Sequence, residues 1–184
     1  IALLEKHQVG VAHNMSANIK AAKGVAPIIE MLSHGVNVGL GTDGPMSGNT
    51  ISLIDEFDQV AKVHKLWHKD RSLMPAVEVI KMATIGSARV LNMQHQIGSI
   101  EENKLADIIV MSSKSANMTP IYNPYSALVY SAYPTDVRHS IVHGRLLMED
   151  REVLTVDENS IIKQAHSFSE KIKRALIKQG TPIL

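Results

Sequence analysis

The sequence has no cysteine, few aromatic residues and no excess of either charge. The absence of cysteine excludes a disulfide framework, a Cys-based zinc finger and a cysteine nucleophile. Because 19 basic residues nearly balance 18 acidic ones, neither a nucleic acid nor an anionic membrane is expected as a partner. No apolar run approaches the ~18 residues of a membrane-spanning helix, and no signal peptide is visible. A cytoplasmic protein is the resulting expectation.

What the sequence does have is an ordinary globular composition and many histidines. Hydrophobic residues make up 45% and charged residues 20% of the 184 residues, which excludes wholesale disorder and a coiled coil. Nine histidines keep metal binding and proton transfer open. The chain starts at Ile1 rather than at Met, in an amphipathic stretch, so we expect it to be the C-terminal part of a longer protein.

Three segments near the start of the chain predict a strand, a helix and a second strand. Residues 9–13 and 36–40 are short apolar runs. Between them, residues 27–34 place apolar side chains at helical spacing, and Gly35 follows as a stop signal. This order and spacing are typical of a βαβ unit, whose crossover makes the two strands parallel.

Further along, the apolar periodicity predicts two more helices, a small mixed or antiparallel sheet and a terminal helix. The helices are predicted over residues 50–68 and 75–91, and the strands over residues 106–111, 127–130 and both sides of a turn at 143–145. Asp157 is the candidate N-cap of the terminal helix. The apolar stripe of that helix is Ile161, Ala165, Phe168, Ile172 and Ala175 or Leu176.

The most informative short segment is the run Gly-Leu-Gly-Thr-Asp-Gly at residues 39–44. It places the Asp43 carboxylate directly after a buried parallel strand, where catalytic groups gather in α/β folds. At that position Asp43 could bind a divalent cation or act as a base, and the flanking glycines leave room beside it. Alternatively, Asp43 only caps a local Asp-Gly turn.

A second polar segment, which begins at His13, follows the first predicted strand. Because neighbouring parallel strands lie ~4.8 Å apart, His13 and Asp43 could point into one pocket. A neutral imidazole beside a metal-bound water is a plausible proton partner. The alternative is a histidine that bonds a backbone carbonyl near a turn. Among the other histidines, His64 is expected to pack within the apolar stripe of its helix.

Several ordered motifs resemble those of one enzyme family. Residues 11–27 are similar to V-x-H-N-P-x-S-N-x-K-L-x-x-G-x-x-P, and residues 31–49 to M-L-x-x-G-V-x-V-x-L-G-T-D-G-x-x-S-N-N. Residues 82–88 and 97–107 resemble its later motifs M-A-T-x-x-G-A and I-G-S-L-E-x-G-K-x-A-D. The family is the amidohydrolase superfamily, in its branch of metal-dependent deaminases and chlorohydrolases. That branch includes S-adenosylhomocysteine/methylthioadenosine deaminases, guanine deaminases and triazine hydrolases.

The resemblance implies an α/β fold that is the C-terminal part of a (β/α)8 metal-dependent hydrolase barrel. Residues 1–96 would hold the last two strand–helix units, residues 97–156 part of a small β-sandwich, and residues 157–184 a C-terminal helix. A complete barrel needs ~250 residues. Most metal ligands, including a His-x-His pair, are therefore expected before Ile1.

The resemblance also implies roles for individual residues. Asp43 would bind a divalent metal, zinc, and take a proton from a water on that metal, and His13 would help to organise polar contacts near the site. The substrate would be contacted by Asn14, Asn18 and Ser47. The sequence departs from the family motif at Met15, Ala17 and Gly48.

By this resemblance, the intact enzyme deaminates a purine, an adenosine derivative or a related heterocycle, breaking a carbon–nitrogen bond other than a peptide bond. The isolated chain is expected to be inactive, because one carboxylate cannot complete a three- or four-ligand metal site. Its first strand would expose an edge, so we expect self-association or pairing with a missing N-terminal half. Two alternatives stay open: a dechlorinating triazine-type hydrolase, and a non-catalytic truncated module that acts in oligomerisation or binding.

Overall fold

Two short parallel strands lie side by side in the computed structural model, which describes residues 1–180. Strand β1 is Val11–His13 and strand β2 is Val38–Leu40. Val11 lies opposite Val38, and His13 lies opposite Leu40. Each strand begins two residues later than the sequence predicts, but their parallel pairing confirms the βαβ prediction.

Seven short or medium helices accompany these strands in the first half of the chain. Their bounds are α1 Ala2–Lys6, α2 Met15–Lys20, α3 Ile28–Ser33, α4 Pro45–Gly48, α5 Leu53–His68, α6 Ala76–Lys81 and α7 Ser87–Val90. A π-helical turn over Met82–Gly86 joins α6 to α7. The predicted helices at 27–34, 50–68 and 75–91 are thereby confirmed, whereas α2 and α4 were not predicted.

The core lies between the two parallel strands and helix α5. Phe57, Val60 and Ala61 of α5 are buried in one hydrophobic cluster with Val38 and Leu40 of β2. This agrees with the apolar stripe that the helical spacing predicts. The same spacing predicts that Trp67 also belongs to this stripe, but Trp67 lies in the last turn of α5 and is 63% exposed.

A separate antiparallel sheet follows in the second half of the chain. Its strands are β3 Ile108–Met111, β4 Val137–Val142, β5 Arg145–Glu149 and β6 Glu152–Val153, in that spatial order. His143 and Gly144 both adopt positive φ between β4 and β5, as a tight hairpin turn requires. The hairpin prediction is therefore confirmed, and β6, only two residues long, gave no periodic signal.

The predicted strand at residues 127–130 is wrong, because this segment belongs to helix α8, Pro124–Tyr130. Asn123 caps the helix, its side-chain oxygen accepting a hydrogen bond from the Ser126 N–H at 3.0 Å. Pro124 occupies the first helical position, where a missing N–H costs nothing. The apolar residues of this segment belong to a helix that buries Val129. A run of four apolar or aromatic residues fits a strand and a buried helix equally well, and the strand was the wrong choice.

The last described element is helix α9, Glu158–Lys178. Asp157 caps it as predicted, with its Oδ1 accepting from the Ser160 N–H at 3.0 Å. The end of the predicted segment, residues 181–184, lies outside the described residues. The domain boundaries given above stay predictions. Within residues 1–180, no helix is long and apolar enough to cross a membrane.

Candidate functional site

Asp43 lies three residues beyond the end of β2, in a left-handed backbone conformation with φ of 59°. Its side chain is exposed, and its Oδ1 accepts a hydrogen bond from the Gly44 N–H at 2.6 Å. This hydrogen bond, followed by one from the Ser47 hydroxyl, lowers the pKa of the Asp43 carboxyl below its usual value. The group is therefore a carboxylate at neutral pH, held at the end of a parallel strand.

Asn14 connects the end of β1 to the Asp43 loop. Its Oδ1 accepts a hydrogen bond from the Asp43 N–H at 3.2 Å. A Cβ at Gly41 would collide with that same amide oxygen, so the glycine leaves Asn14 free to make this hydrogen bond. The two strand ends meet as predicted, and the contact between them is made by Asn14 and the backbone of Asp43.

His13 turns to the other side of β1. Successive side chains of a strand point to opposite faces, and while Asn14 contacts the Asp43 loop, His13 enters the core, where it is 1% exposed. Its Nε2 lies 3.1 Å from Nε2 of His64, a fully buried residue of α5. The structure thus pairs His13 with His64 rather than with Asp43. The role of His13 in catalysis stays a prediction.

Burial governs the charge of this histidine pair. Burial lowers the pKa of both imidazoles to about 4. Electrostatic repulsion from His64 lowers the pKa of His13 further, and repulsion from His68 does the same for His64, each by less than burial does. Both rings are consequently neutral at pH 7, and one can donate to the other through the Nε2 atoms. His64 is packed in the core, as its place on the helix predicts, and its Nδ1 has no hydrogen-bond partner within residues 1–180.

The two remaining predicted substrate residues flank this arrangement. Ser47 lies in α4 and contacts the Asp43 carboxylate. Asn18 is half-buried in α2, where its N–H donates to the Asn14 carbonyl at 3.1 Å. Helices α2 and α4 pack closely, since a Cβ at Gly48 would lie 3.2 Å from the Ser16 hydroxyl. Substrate contacts for Asn14, Asn18 and Ser47 stay predictions.

A buried carboxylate that was not predicted positions helix α2. Glu56 of α5 is fully buried, and its Oε2 accepts from the Ser16 N–H at 3.0 Å, while Oε1 accepts from the Ser16 hydroxyl. A carboxylate at a helix N-terminus also interacts favourably with the helix dipole. The available signal was helical spacing, because Glu56, Val60 and His64 follow one another at intervals of four on the buried face.

Replacing Glu56 with alanine is expected to destabilise the chain by about 3 kcal/mol, because it leaves two buried donors of Ser16 unpaired and opens a cavity. Urea denaturation measures this change. Glu170→Ala is the control, since its carboxylate is on the exposed face of α9, and it should change stability by less than ~0.5 kcal/mol. Equal effects of the two substitutions would contradict the assigned role of Glu56.

The chain offers one carboxylate rather than a complete metal site. Within residues 1–180, no group of three or more His, Cys, Asp or Glu residues could hold a metal ion. Asp43 is nonetheless ionised, exposed and fixed by hydrogen bonds, and a carboxylate oxygen is an accepted ligand of Zn²⁺. The chemistry of this position therefore fits one ligand of a metal site whose other ligands lie outside the chain described here.

Comparison of the sequence with known families and proteins gives consistent matches. A sequence pattern described as the amidohydrolase family matches residues 1–147. A 5-methylthioadenosine/S-adenosylhomocysteine deaminase of Syntrophobacter fumaroxidans is 44% identical over 171 residues, which cover 93% of this chain and 39% of the relative. A 5'-deoxyadenosine deaminase of Methanosarcina barkeri is 40% identical over 172 residues, which cover 94% of this chain and 39% of the relative.

Solved structures agree with the sequence matches. A zinc-bound adenosine deaminase of Xanthomonas campestris superposes with a TM-score of 0.91 at 28% identity, over 94% of this chain and 39% of that protein. A zinc complex of an atrazine chlorohydrolase of Arthrobacter aurescens superposes with a TM-score of 0.83 at 25% identity, over 89% and 36%. The chain thus spans about two fifths of the length of the proteins it matches.

Proposed function

This chain belongs to the amidohydrolase family, and we propose that it forms the part of a metal-dependent deaminase that carries the Asp43 carboxylate. The reaction is the hydrolytic removal of an exocyclic amino group from an adenosine-type base, with ammonia as the leaving product. The observation that carries this proposal is the Asp43 loop: an ionised carboxylate at the end of a parallel strand, held by Gly44, Ser47 and Asn14.

The proposed metal is a divalent cation, with zinc supported by the zinc-bound relatives of known structure. When bound, such a cation lowers the pKa of a coordinated water. Asp43 is the residue of this chain that would hold the metal, and the remaining ligands would come from polypeptide outside the chain. Its hydrogen bonds from Gly44 and Ser47 fix the orientation of the carboxylate before any ligand arrives.

In this proposal Asp43 also moves the proton. Its carboxylate accepts a proton from the attacking water and returns it to the departing amino group. The bond from the Gly44 N–H keeps the carboxylate weakly basic, so that the acquired proton is easily given up. Asn14 contributes by bonding the Asp43 N–H, which ties the catalytic loop to the end of β1 and limits its movement during transfer.

Similarity favours deamination over dechlorination. The methylthioadenosine/S-adenosylhomocysteine and 5'-deoxyadenosine deaminases are 39–44% identical to this chain, whereas the adenosine deaminase and the atrazine chlorohydrolase of known structure are 28% and 25% identical. The side chains that contact the base decide which base a pocket binds, and one fold can carry pockets for different substrates. Adenosine-type substrates are therefore proposed before chlorotriazines.

The isolated chain is proposed to need further polypeptide to act. Within residues 1–180, β1 pairs with β2 on one side only. Ala12, in the middle of β1, is exposed. Its neighbours Val11 and His13 make the hydrogen bonds to the β2 segment, so the backbone groups of Ala12 point away from β2. An open edge of this kind accepts another strand. The remaining polypeptide of the intact enzyme, or a second chain, would supply it.

A chimera tests the proposed function. This chain replaces the segment it matches in the Syntrophobacter fumaroxidans relative, and ammonia release from methylthioadenosine is measured with zinc present. The expected result is deaminase activity in the chimera and none in the isolated chain. Circular dichroism and zinc content establish that the chimera is folded and loaded. A folded, loaded chimera that releases no ammonia, or that instead releases chloride from a chlorotriazine, contradicts the proposal.

A further inference from the structure

The buried face of helix α5 carries two polar side chains that have no part in the reaction proposed above. Glu56 and His64 lie on that face, and neither is exposed to solvent. Val60 lies between them at the same spacing of four residues and is also fully buried. Because burying a polar group costs free energy unless a partner satisfies it, the partners of these two side chains indicate what each contributes.

Both partners lie in the segment that leads from β1 into α2. His64 contacts His13, the last residue of β1, with the two Nε2 atoms 3.1 Å apart. Glu56 accepts hydrogen bonds from the N–H and the hydroxyl of Ser16, in the first turn of α2. Helix α5 therefore holds the chain at the residue before Asn14 and at the second residue after it.

Asn14 is the side chain that joins this segment to the Asp43 loop. Its Oδ1 accepts a hydrogen bond from the Asp43 N–H at 3.2 Å. Asn14 itself is half-buried, and its Nδ2 donates to the Ala12 carbonyl across a long 3.4 Å. The direction of the Asn14 side chain consequently depends on how firmly the backbone is held on either side of it.

We propose that His64 is a positioning residue for the deamination. Together with Glu56 it fixes the backbone on both sides of Asn14, and Asn14 in turn holds the Asp43 loop. This inference rests on the proposed role of Asp43 as metal ligand and proton acceptor. Such a group must be held closely, because a misplacement of about 1 Å can slow a reaction about a hundredfold.

An unpartnered nitrogen of His64 supports a role beyond packing. Its Nδ1 is buried and has no hydrogen-bond partner within residues 1–180, and such an atom costs free energy. An apolar side chain of similar size would fill the same space without that cost. It could not hold His13 in one direction, however, because apolar contacts are non-directional and hydrogen bonds are not. The contact between the two rings therefore gives the end of β1 a fixed orientation.

Substitutions in the zinc-loaded chimera test this role. His64→Leu leaves His13 without its partner, and it should lower kcat about tenfold or more with little change in KM. His64→Gln should retain most of the rate, since its terminal amide can take the place of the imidazole Nε2. Val60→Ala is the matched control, because it opens a cavity on the same buried face but removes no hydrogen bond, and it should leave kcat unchanged.

A double-mutant cycle tests whether the effect passes through Asn14. Asn14→Ala should itself lower kcat, and His64→Leu should add little in that background, because the residue through which it acts is already gone. Circular dichroism and zinc content are measured on every variant. If the leucine variant does not fold, His64→Asn replaces it, since this shorter amide cannot reach His13.

Hydrogen exchange in the full chain gives a readout that needs no activity. The peptide of residues 41–49, which contains the Asp43 N–H, should exchange faster in His64→Leu than in Val60→Ala. Each rate is taken relative to that of helix α6 in the same sample, which corrects for differences in overall stability. If the chimera releases no ammonia, the proposed function fails, but the exchange rates still show whether His64 holds the loop.

Several results would overturn the proposal. An unchanged kcat in His64→Leu, or an equal loss in Val60→Ala, would leave His64 as a packing residue of the core. A His64→Gln variant as slow as His64→Leu would show that the hydrogen bond to His13 is not what matters. Additive effects of His64→Leu and Asn14→Ala, or equal exchange of the 41–49 peptide in the two core variants, would exclude a path through Asn14.

Discussion

Replacing Asp43 with asparagine in the zinc-loaded chimera should lower the rate of deamination by about a thousand-fold or more. The amide has nearly the same shape, and its oxygen can still accept the Gly44 N–H. It carries no negative charge for a metal, and it cannot accept a proton. The rate of ammonia release at saturating substrate measures the effect, and zinc content measured on the same sample separates loss of the ligand from loss of the base.

Asp70 provides the matched control for this substitution. It is also exposed, and its carboxylate likewise accepts hydrogen bonds from a nearby serine, Ser72, which lower its pKa. It follows helix α5 rather than a strand of the parallel sheet. Asp70→Asn should therefore leave the rate unchanged. Full activity of the Asp43→Asn chimera would reduce Asp43 to a turn residue, and the proposed function would fall with it.

Acidification should destabilise the isolated chain well above the pH at which its carboxylates titrate. The pKa of both His13 and His64 is lowered from 6.5 to about 4 in the folded chain. Below pH 6.5 the unfolded chain therefore binds more protons than the folded chain, and stability falls as the pH is lowered toward 4. By pH 5 the expected loss is about 2 kcal/mol for each histidine relative to neutral pH.

The surroundings of the pair support this direction. His68 stacks near His64, with ring centroids 6.3 Å apart, and Lys65 also disfavours a charge on His64, while Glu30 opposes these effects. The free energy of unfolding, measured by urea denaturation at several pH values between 7 and 5, checks the prediction. His64→Leu should reduce the dependence on pH, because one of the two titrating rings is gone.

The exposed histidine of helix α9 serves as the control. His166→Gln changes a ring that lies outside the core, so the same fall in stability between pH 7 and 5 is expected as in the unchanged chain. A stability that does not vary over this range would mean that the two imidazoles can be protonated in the core without cost.

Local signals predicted a large part of this fold. The apolar runs before His13 and Asp43 gave two parallel strands, because short apolar segments between turn residues favour buried strands. Asp157 caps α9 in the way that its position before an amphipathic segment predicts. The same local reasoning failed at α8, because the apolar run at residues 127–130 was interpreted without the helix-start signal of Asn123 and Pro124 that precedes it.

Local sequence signals also predicted part of the candidate site. The position of Asp43 follows from the strand that precedes it, and the approach of Asn14 follows from parallel pairing of the strands. The partner of His13 does not follow from either, because His64 is 51 residues away along the chain. Glu56 was overlooked, since a carboxylate on a helix is ordinarily solvated and only its spacing from Val60 and His64 marked it as buried.

The sequence alone determined the two parallel strands and the helix between them, the β4–β5 hairpin, the loop that carries Asp43 and the cap of the last helix. These depend on residues close together in the chain, whose backbone preferences act over a few positions. The tertiary structure decided that His13 faces His64 rather than Asp43, and that Ser16 is bonded by Glu56. Those contacts depend on how α5 packs across β1 and α2, and packing is fixed by the fit of whole surfaces rather than by any local run of residues.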